Sequence, residues 1–391
     1  MKKRMALASA FLLLLLCGCA ANARLTQTGQ ETALLRTEIA ALEQSRSELS
    51  RSQSELEAEN AALKAELAEV QTELDAVSRQ IYELTCLKPA GEVILFGKPA
   101  AALTDEERLY VDASLLPEGV FEESLCREQD GRCYVPLAAA CEQLGLYLGK
   151  TPEGVTFAAR QKTVKRPEVQ RAVPVLMYHA VGDETWGYQD LFVKPAELEA
   201  QLQYLCDNGY QPIWFEDLEH IEDYEKPVIL TFDDGYDDNY TNLLPLLKTY
   251  QVKATVFVIG NAMAGMQHKM TAEQVKEMAD SGLVSIQSHT YTHHTLSSMG
   301  EEELRMEMEY SRDAIAAVTG EVPYVLCYPE GYHAGQTVSV AKEYYTYGIK
   351  INGGLYHTAD DPFEVNRYFI SRQTDLNTFA EVCGEGENYD G

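Results

Sequence analysis

Between residues 25 and 86 apolar side chains return at steps of three, four or seven: Leu35, Ile39, Leu42, Leu49, Leu56, Leu63, Leu67, Val70, Leu74, Val77, Ile81 and Leu84. No proline and only one glycine, Gly29, fall in this stretch, so the pattern predicts an unbroken helix carrying a heptad seam. With Ile39 at position a, the a sites are Ile39, Arg46, Gln53, Asn60, Leu67, Leu74 and Ile81, while the d sites stay Leu or Val. Three polar a residues in succession weaken the first half of the seam. A buried Asn60 satisfies its amide best against its own copy, which favours a parallel, in-register homodimer through residues 32–85. About 50 residues of seam form a rod of roughly 75 Å, longer than a small domain can cover.

At Lys88-Pro89-Ala90-Gly91 the periodicity stops. A segment from 91 to 160 follows, with strand-like runs at 93–96 and 133–137, a helical stretch at 138–144 and no catalytic constellation; it reads as a small α+β domain resembling envelope stalk domains. A basic stretch without periodicity, 161–172, reads as a connector. From there strands and helices alternate: strands at 173–178, 228–232, 253–259, 283–287, 323–328 and 368–370, helices at 195–208, 241–250, 271–281, 300–319 and 336–345. Repeated βα units predict a mostly parallel sheet in a domain spanning 172–391.

The chain begins with Lys2-Lys3-Arg4, an apolar core over 7–16 and Leu16-Cys17-Gly18-Cys19. That is an export signal (1–18), too short to span a bilayer as a mature helix, and its end resembles a bacterial lipobox, which implies a lipidated Cys19 and anchoring to the outer face of a bacterial cell membrane. Net charge is −29, or −32 once Lys2, Lys3 and Arg4 leave (−29 − 3). Such a chain repels nucleic acid and anionic headgroups. Of nine cysteines, seven remain beyond Cys19. Cys126 and Cys133 flank the turn Asp130-Gly131 and are placed to close a hairpin disulfide. Cys86, near the end of the seam, is a candidate for an interchain bridge, and no CxxC spacing points to a cysteine zinc site.

Candidate chemistry sits at two strand ends. Val228-Ile229-Leu230-Thr231-Phe232 runs into Asp233-Asp234-Gly235, and two adjacent half-buried carboxylates ionise together cheaply only beside a cation. About 55 residues later the run 283–287 leads into Ser288-His289-Thr290-Tyr291-Thr292-His293-His294. His289 and His293 stand four apart, so one helical turn is expected to aim both imidazoles at one point.

Thr231 to Gly235 and His289 to His293 resemble the first two motifs of the polysaccharide deacetylase (NodB-homology) family, metal-dependent hydrolases of sugar N-acetyl groups. Val173-Pro174-Val175-Leu176-Met177-Tyr178-His179 resembles its opening strand, the run 253–258 its next strand, and Leu326-Cys327-Tyr328-Pro329-Glu330-Gly331 a variant third motif. The resemblance covers about 172–375. It implies a distorted (β/α) barrel of about seven strands, with Asp233 as general base and Asp234, His289 and His293 as ligands of one divalent metal, zinc by default with cobalt, nickel or iron open. Tyr328, through its N–H or its hydroxyl, with Pro329 and His179 beside it, is the expected oxyanion and substrate edge. The third motif carries Cys327 where many members have arginine, so Arg367 or Arg372 is expected to steady Asp233 from the last strand. The final Leu-x-His is absent, which leaves His357 or His179 as the acid. The expected activity is N-deacetylation of a GlcNAc-containing polysaccharide, peptidoglycan or exopolysaccharide; the alternatives are a catalytically impaired glycan-binding protein and a scaffold that recruits a partner through its coiled coil.

Overall fold

The computed structural model describes residues 29–117 and 125–385. The predicted leader and Cys19 lie outside the described residues. The chain divides into two compact units, one ending at Cys86 and the other spanning Leu87–Gly391. The described residues of the first form a single helix, α1 (Gly29–Thr85), 57 residues long, or about 85 Å at the usual rise. Leu42, Leu56, Leu63, Leu67, Val70, Leu74, Val77 and Ile81 are all exposed along it. Its side-chain bonds run between neighbours one turn apart, as in Gln44–Glu48 and Gln71–Asp75. Among the described residues no helix is long and apolar enough to cross a membrane.

The second unit opens with a seven-stranded sheet built from segments between Lys88 and Arg160 and one short helix, α2 (Leu137–Leu144). Cys126 and Cys133 are disulfide-bonded at its edge. This sheet packs directly onto the rest of its unit. Phe157 and Ala159 share a buried cluster with Ala316, Ala317 and Val322, Arg160 pairs in register with Glu321, and the Tyr147 hydroxyl donates to Asp313 at 2.9 Å. Two glycines make the seam possible. A Cβ on Gly97 (φ +76) would come within 2.2 Å of the Val318 carbonyl, and one on Gly320 (φ +82) within 2.5 Å of Phe96, so only glycine tolerates both the backbone and the approach.

The barrel sheet has seven strands: β1 (Val175–Tyr178), β2 (Pro227–Phe232), β3 (Ala254–Val258), β4 (Val284–Ser288), β5 (Val325–Cys327), β6 (Tyr347–Ile349) and β7 (Tyr368–Phe369). Their order is β6-β5-β4-β3-β2-β1-β7, with the short strand Gln211–Pro212 attached to the start of β2. Every pairing along this path is parallel. β1 to β6 are buried on both faces, except for Ser285 in β4, which is why they read as continuous apolar runs. The outer helices are α3 (Pro195–Asp207), α4 (Leu244–Tyr250), α5 (Ala272–Asp280), α6 (Glu301–Thr319), α7 (Gly335–Ala341) and α8 (Leu376–Gly384). The predicted barrel and its preceding helix are both present. β6, which sequence reading passes over, is only three residues long and too short to show a period. It matters for closure, because Ile349 bridges to Val365 and the Arg367 N–H donates to the Asn352 carbonyl, carrying the chain across from β6 into β7.

Candidate active site

Because the strands are parallel, the residues that follow β1, β2, β4 and β5 emerge at one end of the sheet. The register sets Tyr178 beside Phe232 and Val258 beside Ser288, so His179, Asp233-Asp234 and His289 leave the sheet at the same end. That is the edge where parallel α/β sheets gather their chemistry.

Asp234 presents one carboxylate oxygen, Oδ1, to His289 Nε2 at 3.3 Å and to His293 Nε2 at 3.2 Å. Its other oxygen faces the Lys269 ammonium at 3.7 Å, and that ammonium lies 3.6 Å over the Tyr236 ring. Ligand atoms of Asp234, His289 and His293 fall within 4.8 Å of one another. The His289 Nδ1 stands 2.9 Å from the Cys327 carbonyl; a carbonyl only accepts, so Nδ1 carries the proton and Nε2 offers its lone pair. One carboxylate and two imidazoles with converging lone pairs are the donor set of a tetrahedral or five-coordinate divalent ion with open positions, and these residues fit such an ion.

Asp233 is held differently. Arg367, fully buried on the entry to β7, grips both oxygens at 2.7 Å. Its remaining N–H groups go to the Lys350 carbonyl, the Thr231 hydroxyl and the Cys327 sulfur, so all five guanidinium donors are used. Burial by itself would push the Asp233 carboxyl up, but the Arg367 charge outweighs it and holds the carboxyl below the usual range. Asp233, His289 and Cys327 also cluster within 4.8 Å, yet a cation there would face the guanidinium. The Asp234 set is the better cation site.

The proton-carrying candidates separate cleanly. His179 Nε2 lies 4.0 Å from Asp233 Oδ2; burial lowers its pKa and only partly yields to the neighbouring carboxylates, so it is neutral at neutral pH. His357 does not belong to this edge. It pairs with Ala172 in the short strand preceding β1, about six extended residues, or roughly 20 Å, from Tyr178 and on the other end of the sheet. Arg372 donates to the carbonyls of Gly182, Asp183 and Phe192, leaving Arg367 as the partner of Asp233.

Two further expectations are corrected. Tyr328 has no free donor for an oxyanion, since its N–H bonds the Ile349 carbonyl in the ladder and its hydroxyl donates to the Phe363 carbonyl. Pro329 follows it, buried and without an N–H. The two ligand histidines are not on a helical turn: residues 289–294 form an irregular loop in which Thr290 and His293 adopt φ of +64° and +61°. His294 turns aside to the Thr292 hydroxyl. Lys269 escapes sequence reasoning because it belongs to no strand end and reaches Asp234 only through the loop after β3.

The polysaccharide deacetylase family model matches residues 220–348. YxkH of Bacillus subtilis, which carries the name of a polysaccharide deacetylase, is 31% identical over 257 residues, 63% of this chain and 88% of that protein. The poly-β-1,6-N-acetyl-D-glucosamine N-deacetylase of Escherichia coli is 29% identical over 149 residues, 33% of this chain and 22% of that enzyme. Among solved structures, the deacetylase PplD of Streptococcus pyogenes in complex with acetate superposes with a TM-score of 0.52 at 27% identity, over 55% of this chain and 99% of that one.

Proposed function

The chain belongs to the polysaccharide deacetylase family, and from that membership we propose a metal-dependent enzyme that removes N-acetyl groups from a GlcNAc-containing polysaccharide of the cell envelope, peptidoglycan or exopolysaccharide. The observation that carries the reading is the convergence of His289 and His293 on one oxygen of Asp234, beside a second carboxylate locked by a buried arginine.

Asp234, His289 and His293 would hold the ion, zinc being the default for this donor set. When bound, such an ion polarises the acetyl carbonyl and makes a water acidic enough to attack near neutral pH. Asp233, ionised at that pH, takes the proton of the attacking water. Arg367 keeps both its oxygens oriented and its charge compensated. His179, neutral and 4.0 Å away, is placed to receive that proton and pass it to the nitrogen as the C–N bond breaks, so that acetate and a free amine leave. This relay supplies the proton donor whose apparent absence favoured a merely glycan-binding protein.

The export signal and Cys19 support a lipid-anchored enzyme outside the cell, with α1 as its spacer. The exposed seam of α1 supports a parallel homodimer through residues 32–85, and the charge of −29 fits a neutral or amine-bearing polymer better than nucleic acid.

The test is acetate release by the zinc-loaded full chain from peptidoglycan, poly-N-acetylglucosamine, chitin oligomers and acetyl xylan. Acetate is expected from at least one GlcNAc polymer and not from xylan. Asp234→Ala should lose metal and turnover together, whereas Asp233→Asn should keep metal and lose about 10²–10⁴ in kcat. Equal metal loss in both variants contradicts the division of roles.

A further inference from the structure

The two histidines that face Asp234 are anchored unequally. His289 directly follows β4, its N–H donates to the Val258 carbonyl and its Nδ1 is tied to the Cys327 carbonyl; the sheet itself fixes it. His293 has no such support, and its imidazole is 31% exposed. Its position depends on the intervening loop, which is not a comfortable one. Thr290 is β-branched and sits at φ +64°, and His293 sits at +61°; a β-branched residue in the left-handed region is strained and persists only where its surroundings over-determine it.

Every loop N–H from Thr290 to His293 is accounted for. Thr290 N–H goes to the Ser288 hydroxyl and His293 N–H to the Thr290 hydroxyl, both local bonds. The two in the middle, from Tyr291 and Thr292, both go to one oxygen of Glu307, at 3.0 and 2.9 Å, and the Thr292 hydroxyl donates to the other at 2.5 Å. Glu307 comes from α6, 15 residues further on, and is 8% exposed. A carboxylate buried on the inner face of a helix is costly unless donors satisfy its oxygens. Three donors from one loop satisfy both of its oxygens, two on one and one on the other, so the carboxylate and the loop conformation support each other.

We propose that Glu307 is a positioning residue for the metal centre: it clamps the strained loop between the two histidines and thereby holds His293, rather than His289, in ligating position. The inference rests on the metal-dependent reading above. It requires Glu307 to act through His293, so removing one should make removal of the other cheap.

The experiment measures zinc affinity of the full chain by competition with a chromogenic chelator, together with the visible absorption of the cobalt-loaded protein. Glu307→Ala is expected to weaken zinc about 10–100-fold, the range of supporting residues behind metal ligands, and to shift the cobalt spectrum toward that of His293→Ala. Glu307→Gln retains an acceptor for the two N–H groups and should stay within about threefold of wild type, which separates hydrogen bonding from charge. In the His293→Ala background, Glu307→Ala should cost less than about threefold. Wild-type affinity in Glu307→Ala, or losses that simply multiply in the double variant, overturns the clamp. Should Glu307→Ala not fold, Glu307→Asp carries the test, because it keeps the charge but falls one methylene short; a folded Asp variant with unaltered affinity and spectrum is equally fatal. A wild-type chain that takes up no zinc would instead sink the metal-dependent reading itself, an outcome that the variants cannot produce.

Discussion

The helix α1 and the catalytic edge of the barrel dispose of their side chains in opposite ways. Along α1, leucines and valines at heptad spacing remain open to solvent, from 36% at Leu63 to 67% at Leu67, while its polar bonds are surface pairs such as Arg51–Glu55, worth a few tenths of a kcal/mol each. At the barrel edge it is charge that is hidden: Arg367 and Asp233 are 0% and 3% exposed and fully partnered. The Arg367–Asp233 pair finds every partner it needs within a single chain. The helix leaves its main source of free energy, about 1.5–3 kcal/mol per fully buried leucine, to be gained against something else. Self-sufficiency therefore distinguishes the two better than secondary structure or length does.

Breaking the self-sufficient region should give the largest effect. Arg367→Leu strands Asp233 in the interior, and removal of one partner of a buried ion pair costs about 3–5 kcal/mol, to be read from denaturant midpoints at pH 7. The sign with pH comes from the carboxyl. In the wild-type fold it lies below its ordinary value because Arg367 outweighs burial, so it contributes stability that is complete above about pH 4 and is lost as pH falls through the depressed value. Without Arg367 burial is opposed only by the weaker pull of His179 and His289, and the carboxyl moves up. The gap between variant and wild type should then narrow on acidification, and the acid limb of kcat/KM should move to higher pH. A limb that stays in place would mean that Arg367 does not govern Asp233.

A sharper contrast within the barrel comes from its two candidate acids. His179→Ala should lower kcat/KM by about 10²–10⁴, with metal content unaltered, whereas His357→Ala, at the other end of the sheet, should leave it within about twofold. Reversal of that order would remove the proton relay.

These residues also show where sequence legibility ends. Asp233 and Asp234 were readable because a buried parallel strand is a continuous apolar run and its end is abrupt. His289 and His293 were readable as a pair, but the spacing of four suggested a helical turn. The actual geometry comes from two left-handed residues and a carboxylate on α6, and neither leaves a local mark. The choice between Arg367 and Arg372 turned on the bridge of Ile349 to Val365, made by a strand too short to announce itself. Tyr328 looked available because its type suits an oxyanion; its N–H was already committed to the ladder and its hydroxyl to Phe363, commitments that only the paired strands reveal. The heptad seam, by contrast, was legible residue by residue, because a helix uses only near neighbours to set its faces.

The smallest effect on catalysis, and the most direct challenge to the contrast, is expected from α1. If its seam is completed by a second copy, the full chain should sediment as a dimer. Leu67→Lys combined with Leu74→Lys puts like charges at two successive a sites of the stronger half of the seam and should convert it to a monomer. Because Leu87–Gly391 forms its own compact unit, acetate release from a soluble chitin oligomer should stay within about twofold and the melting of that unit should not move. A full chain that is already monomeric would leave the exposed leucines without a second copy to cover them. A dimer that survives both lysines would place the contact elsewhere. If dissociation instead abolished turnover on the soluble oligomer, the barrel edge would depend on the second copy, and the distinction between a self-sufficient region and a dependent one would fail.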